Sequence, residues 1–157
     1  MSELILLRHA HALEGASSGR DFDRALSPRG WTQAEAAAEW LCSRIAAPRV
    51  LCSPARRTHE TLLPLLARWR DLEVQYDSRI YEATASDLLS VLDDGWSADA
   101  PVLLIGHNPG LETLLALLLS GSSSDYRGMS TASIARLALQ SQVLEPGVAR
   151  LESFWSP

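Results

Sequence analysis

Apolar runs of three or four residues alternate along the chain with stretches where apolar side chains recur every three or four positions. The short runs Leu4–Leu7, Val50–Cys52 and Val102–Ile105 are each followed by turn chemistry, which predicts buried strands. The helical period appears over Trp31–Ile45, at Ala34, Ala37, Ala38, Leu41 and Ile45. It appears again over Pro54–Trp69, at Leu62, Leu65, Leu66 and Trp69, where Pro64 predicts a kink or break. A third helix covers Leu111–Leu119, and a shorter one Ser86–Leu92. Strands alternating with one-faced helices predict a three-layer α/β fold, with a mostly parallel central sheet and helices on both faces. Ser133–Leu139 and Val148–Trp155, around Glu145-Pro146-Gly147, read as an antiparallel hairpin at one edge. A further strand is expected near Arg79–Tyr81. Gly15–Gly19 and Ser120–Ser124 read as loops. With 157 residues, no repeats and no long linker, residues 1–157 are expected to form a single domain.

Three predicted helix starts share one local chemistry: Ser27-Pro28, Ser53-Pro54 and Asn108-Pro109. Each joins a capping side chain to a proline at the first helical position, where a missing N–H costs nothing. Two of the three directly follow a predicted strand. In an open parallel sheet the carboxyl ends of the strands face the ligand crevice, and the helix N-termini beyond them favour an anion.

The composition narrows which anion chemistry is available. All fourteen basic residues are arginine, so any mechanism that needs a lysine is excluded, including the P-loop cradle and Schiff-base chemistry. A net charge of −5, with no basic run beyond Arg56-Arg57, argues against a nucleic-acid partner. The two cysteines, Cys42 and Cys52, are too few for a disulfide framework and lack metal-ligand spacing. No apolar run approaches a membrane span or the core of a signal peptide, so the expectation is a cytoplasmic protein that does not engage membranes.

Three strand ends then carry the reactive side chains. The first ends in Arg8-His9-Ala10-His11, the second leads into Ser53-Pro54-Ala55-Arg56-Arg57, and the third ends in Gly106-His107-Asn108-Pro109-Gly110. A lone histidine or an Arg-Arg pair is ordinarily a packed or solvated residue. Their arrival at one edge of one sheet is what marks a site.

Leu6-Leu7-Arg8-His9-Ala10, Ser53-Pro-x-x-Arg57-x-x-x-Thr61 and Gly106-His107 resemble the signature segments of the histidine phosphatase (phosphoglycerate mutase-like) superfamily. The short chain, the Arg-His-Ala form of the first segment and Asp21-Phe-Asp-Arg-Ala-Leu-Ser-Pro-Arg-Gly30 resemble its SixA-type branch, the phosphohistidine phosphatases. The resemblance implies a phosphoglycerate mutase-like fold. It also implies that His9 is the nucleophile, with Arg8, Arg57 and His107 around the phosphoryl oxygens and no metal or other cofactor. Asn108, beside His107, joins them as a candidate substrate contact. The chemistry is consistent with this reading. Phosphoryl transfer asks a protein mainly to position groups and disperse charge, and two arginines with a second histidine can do so without a dication. A neutral imidazole is a competent nucleophile near neutral pH.

Glu82 sits roughly where larger relatives place a proton donor for the leaving oxygen, and is the candidate general acid. A phosphohistidine leaves as imidazole, which needs such an acid far less than an alkoxide does. Arg56, a helix neighbour of Arg57, points about 100° away and is expected at the rim or in solvent. Where the family usually has glutamine, this chain has Glu60. The rival chemistry is a metal site begun by His9-x-His11 and completed by His107 and an aspartate, but arginines beside a dication oppose it. The expected activity is therefore hydrolysis of phosphohistidine on a protein partner, such as a histidine phosphotransfer domain. The alternatives are a phosphatase of small phosphate esters and a phospho-ligand binding module.

Overall fold

A computed structural model describes residues 2–123 and 128–157. The elements run β1 (Ser2–Arg8), α1 (Pro28–Cys42), β2 (Arg49–Cys52), α2 (Arg56–Arg68), β3 (Val74–Tyr76), α3 (Ala85–Gly95), β4 (Val102–Gly106), α4 (Gly110–Ser120), β5 (Ile134–Leu139) and β6 (Ala149–Trp155). Short 3-10 turns at Asp21–Asp23 and Ser78–Ile80 precede α1 and α3. The strands form one sheet in the order β3-β2-β4-β1-β5-β6. The first four in that order are parallel, whereas β5 adds antiparallel to β1 and β6 antiparallel to β5, with an irregularity in the β5–β6 register at Arg136/Leu137. This is the three-layer α/β architecture with an antiparallel C-terminal edge that the apolar pattern predicts.

The alternation inside β1 shows why its apolar run is unbroken. Leu4 and Leu6 pack with Leu88, Leu92, Leu111 and Leu115 of α3 and α4. Ile5 and Leu7 pack on the other face with Ala37, Leu41, Leu62 and Leu65 of α1 and α2. A strand covered on both faces has no solvent side, so every position is apolar. Among the described residues, no helix is long and apolar enough to cross a membrane.

Four local expectations are corrected. Ser27 caps α1 as predicted, accepting from Gly30 N with Pro28 in the first turn. Ser53, however, does not cap α2, which starts at Arg56 after Ala55. Asn108 does not cap α4 either: Asn108-Pro109 is a cis peptide, and the helix starts at Gly110. Both side chains are drawn instead into contacts across the sheet edge. Arg79–Tyr81 is not a strand, because the Asp77 carboxylate accepts from Arg79 N at 2.9 Å and winds Ser78–Ile80 into a 3-10 turn. The pairing strand is β3, five residues earlier, where three residues, only Val74 of them partly buried, leave little periodic signal. Pro64 lies within α2 without ending it. Ser120 closes α4, Gly121 follows in the left-handed region, and Ser124 lies outside the described residues.

Candidate active site

Sheet register places the catalytic candidates. Arg8 pairs with Gly106 across β1 and β4, and Cys52 pairs with Ile105 across β2 and β4. His9, Ser53 and His107 therefore leave three adjacent strands at nearly the same height. His9 N donates to Gly106 O at 3.0 Å and Ser53 N to Ile105 O at 3.1 Å, which holds the ends together. The His9 and His107 rings lie 5.3 Å apart.

The His9 ring has a defined tautomer. His9 Nδ1 lies 2.7 Å from the Ala10 carbonyl, which can only accept, so the proton sits on Nδ1 and Nε2 carries the lone pair. Thr61 Oγ1 accepts from Ala10 N at 3.0 Å and donates to Arg57 O, tying the turn after His9 to α2. Ser53 Oγ accepts from Ala55 N at 3.3 Å and lies 2.8 Å from His107 Nε2. The other ring nitrogen, His107 Nδ1, is buried without a partner among the described residues.

Burial, and then the positive charges of Arg57 and Arg8, depress the His9 pKa to about 4 against the opposing Ala10 hydrogen bond. Burial, then His9 and Arg57, depress that of His107 to about 3. Both rings are neutral at physiological pH. Burial also lowers the Arg8 pKa, though Glu112 opposes the shift. An arginine so lowered remains charged at neutral pH.

The arginines are held by their outer nitrogens. Arg8 Nη1 donates to Met129 O at 2.8 Å. Arg57, 7% exposed, donates from Nη1 to Asp21 O at 2.9 Å and from Nη2 to Asp21 Oδ2 at 3.1 Å. In both side chains Nε is buried and unpartnered. Asn108 Nδ2 donates to Met129 O and to Glu112 Oε2. Two acceptors there fix the orientation of the amide and leave Oδ1 buried and unpaired. Four of the unsatisfied buried polar atoms among the described residues thus belong to Arg8, Arg57, His107 and Asn108. Buried donors without partners are rare in native proteins, and a cluster of them marks a place for an incoming group.

Glu82 stands apart. It is exposed, has φ 55°, and lines a half-open cavity of about 470 Å³ with Thr84, His107, Asn108, Pro109 and Thr113. Gly110 lies against this wall, and a Cβ there would come within 2.5 Å of Ala83 O. The remaining candidates are engaged in contacts of their own. Arg56 is exposed and pairs with Glu60 at 3.5 Å, while Glu60 also accepts from Leu26 N. His11 Nδ1 is bound to the Ser27 hydroxyl at 2.6 Å. No group of three His, Cys, Asp or Glu among the described residues is disposed to hold a metal ion.

Against this geometry, the model of the histidine phosphatase superfamily (branch 1) matches residues 4–94, more than half of the chain. The chain belongs to the histidine phosphatase superfamily. An uncharacterized protein of Mycobacterium tuberculosis is 31% identical over 147 residues, which span 87% of this chain and 91% of that one. Among solved structures, a protein described as the phosphohistidine phosphatase SixA of Nakamurella multipartitia superposes with a TM-score of 0.84 at 29% identity, covering 99% and 96% of the two chains. A SixA described from Agrobacterium tumefaciens gives 0.82 at 27% identity, covering 99% and 98%. The fold is that of the phosphoglycerate mutase-like histidine phosphatases, and it is of the SixA type.

In this family member the structure adds residues that sequence reasoning did not single out. The local pattern predicts a cap at Ser53, and nothing in the sequence says that its hydroxyl reaches a histidine 54 positions away. Asp21 and Tyr81 meet at 2.6 Å across 60 residues, and the Tyr81 ring packs edge-on against His107. Met129 contributes only its main chain, which leaves no trace in side-chain chemistry.

Proposed function

We propose that residues 1–157 act as one metal-independent phosphatase domain that hydrolyses phosphohistidine on a protein substrate, with a phosphorylated His9 as intermediate. The observation that carries the reading is the set of buried, unpartnered nitrogens, Arg8 Nε–H, Arg57 Nε–H and His107 Nδ1, beside a histidine whose Nε2 is left basic. His9 Nε2 attacks phosphorus as the P–N bond to the substrate imidazole breaks, and the leaving ring takes a proton from solvent or from Glu82. Water then attacks phospho-His9, the P–Nε2 bond breaks, and orthophosphate leaves with His9 regenerated. The donors stabilise the oxygen charge that builds up in both transition states. Asn108, whose amide is fixed by Glu112 and Met129, lines the wall on the leaving-group side.

A protein partner fits the half-open cavity beside His107, which leaves room for a side chain still attached to its chain. Two free cysteines fit a reducing cytoplasmic setting. The second reading, hydrolysis of small phosphate esters, is favoured by one observation. Glu82 sits at the same cavity in a left-handed conformation that costs a non-glycine residue energy, as at sites where geometry is functional. The deciding experiment incubates the protein and its His9→Ala variant with a phosphohistidine-bearing protein and with a panel of phosphate esters, with and without chelator. Turnover of phosphohistidine that survives chelator and disappears in His9→Ala is expected. Turnover of esters alone would transfer the assignment to the second reading.

A further inference from the structure

Arg57 is gripped by one residue twice over. Its Nη1 donates to the Asp21 carbonyl oxygen and its Nη2 to the Asp21 carboxylate, at 2.9 and 3.1 Å. The same carbonyl accepts from Arg24 N, so it is fixed by the 3-10 turn of Asp21–Asp23. The same carboxylate accepts from Arg24 Nη1 at 2.9 Å and from the Tyr81 hydroxyl at 2.6 Å. Phe22 adds an edge contact of 5.2 Å to the Tyr81 ring, and that ring stands 5.5 Å from His107. Through its backbone and side chain, Asp21 therefore joins α2, the segment after β3 and the turn before α1, on the outer side of the phosphoryl donors.

An anion placed there has two opposite readings. Asp21 could occupy Arg57 as an internal competitor that phosphate must displace. Alternatively, it could hold the guanidinium so that the remaining edge is presented to phosphate. Two observations favour the second. Arg57 Nε–H is buried and unpartnered with Asp21 already bound, so the clamp and a phosphoryl oxygen use different edges of the guanidinium. One of the two grips comes from a main-chain carbonyl, which carries no charge for phosphate to compete with. A planar fork held at both Nη atoms keeps a fixed plane, and a preorganised donor needs no reordering when charge develops.

We propose that Asp21 is a positioning residue that fixes the plane of Arg57 and, through Tyr81, the wall against His107, so that its negative charge strengthens anion binding at the site. The proposal rests on the reading of Arg8, Arg57 and His107 as phosphoryl donors. Its signature is a reversal of sign. By Coulomb's law alone, removing a carboxylate beside an anion site tightens phosphate binding. By the clamp, it loosens binding.

Calorimetric titration of inorganic phosphate into the parent protein and into Asp21→Asn, Tyr81→Phe and the double variant reads this directly. Asparagine keeps the shape but turns an amide N–H₂ toward the guanidinium of Arg57 or of Arg24, which can only donate. The expected dissociation constant rises about tenfold in Asp21→Asn and about threefold in Tyr81→Phe, which keeps its ring on His107. The double variant is expected to be no weaker than Asp21→Asn, because Tyr81 acts through the same carboxylate. Tyr81→Phe keeps the test standing if the asparagine variant fails to fold. Equal or tighter phosphate binding in Asp21→Asn, or in Tyr81→Phe where only that variant folds, overturns the clamp while leaving the donor site intact. Failure of the parent protein to bind phosphate overturns the donor site, and the clamp with it.

Discussion

The two sides of His107 are built in different ways. On the side of His9, the histidines are buried, both rings are held by hydrogen bonds to Ala10 and Ser53, and the outer arginine donors are tied to Asp21 and Met129. On the side of Glu82, the carboxylate is exposed, no hydrogen bond among the described residues restrains it, and the wall opens into a cavity of about 470 Å³. In the proposed function, the rigid side handles the part common to every phosphorylated substrate and the loose side faces the part that differs between substrates. Preorganisation matters most where charge develops in the transition state, and far less where a variable group only needs room.

Removing the nucleophile tests the rigid side most severely. His9→Ala is expected to lower kcat/KM by roughly 10⁴-fold or more, on phosphohistidine and on esters alike. Steady-state assays, with a search for an acid-labile phosphoenzyme, check both the loss and its cause. Next in size, Arg57→Ala should cost about 10²–10³-fold in kcat/KM, the usual loss for one preorganised donor. It should do so on every substrate tested, because the donor acts on the phosphoryl group.

The loose side predicts a split. Glu82→Gln is expected to slow an alkyl phosphate by about 10²-fold while phosphohistidine hydrolysis changes by less than about threefold, since only the alkoxide needs a proton. Equal losses on both substrates would erase the distinction between the two sides.

The smallest effect is on stability. An unperturbed histidine titrates near 6.5, whereas His9 and His107 in the folded protein titrate at about 4 and about 3. As pH falls below 6.5 the unfolded chain takes up protons that the native rings refuse, so these two rings destabilise the fold progressively until pH drops through their folded values. The loss from the pair is on the order of a few kcal/mol, above the range in which most carboxylates titrate. Urea midpoints measured between pH 7 and 5 should therefore decline. The decline should be shallower in His107→Asn, which removes one of the two rings.

Much of this is legible in the amino-acid sequence. The unbroken run Leu4–Leu7 and the helical periods at Ala34–Ile45 and Leu111–Leu118 depend on burial of one or two faces, which side-chain polarity records directly. The same holds for Arg8-His9, Arg57 and Gly106-His107, which sit one or two residues beyond predicted strands or one turn into a helix. The failures share a cause. Ser53 and Asn108 have side chains that suit both a cap and a long-range hydrogen bond, and local pattern cannot weigh one against the other. Val74–Tyr76 was missed because pairing with β2 stabilises a segment too short and too exposed to show a period.

The sequence by itself determined the layers, the strand ends that carry charge, and an anion chemistry without lysine, because each follows from residue identity at short range. Only the tertiary structure decided which edge of Arg57 remains open and that Ser53 meets His107. It also brought Asp21, Tyr81 and Met129 to the same place. Those contacts join residues 36 to 121 positions apart, across a sheet whose register brings them within hydrogen-bond distance.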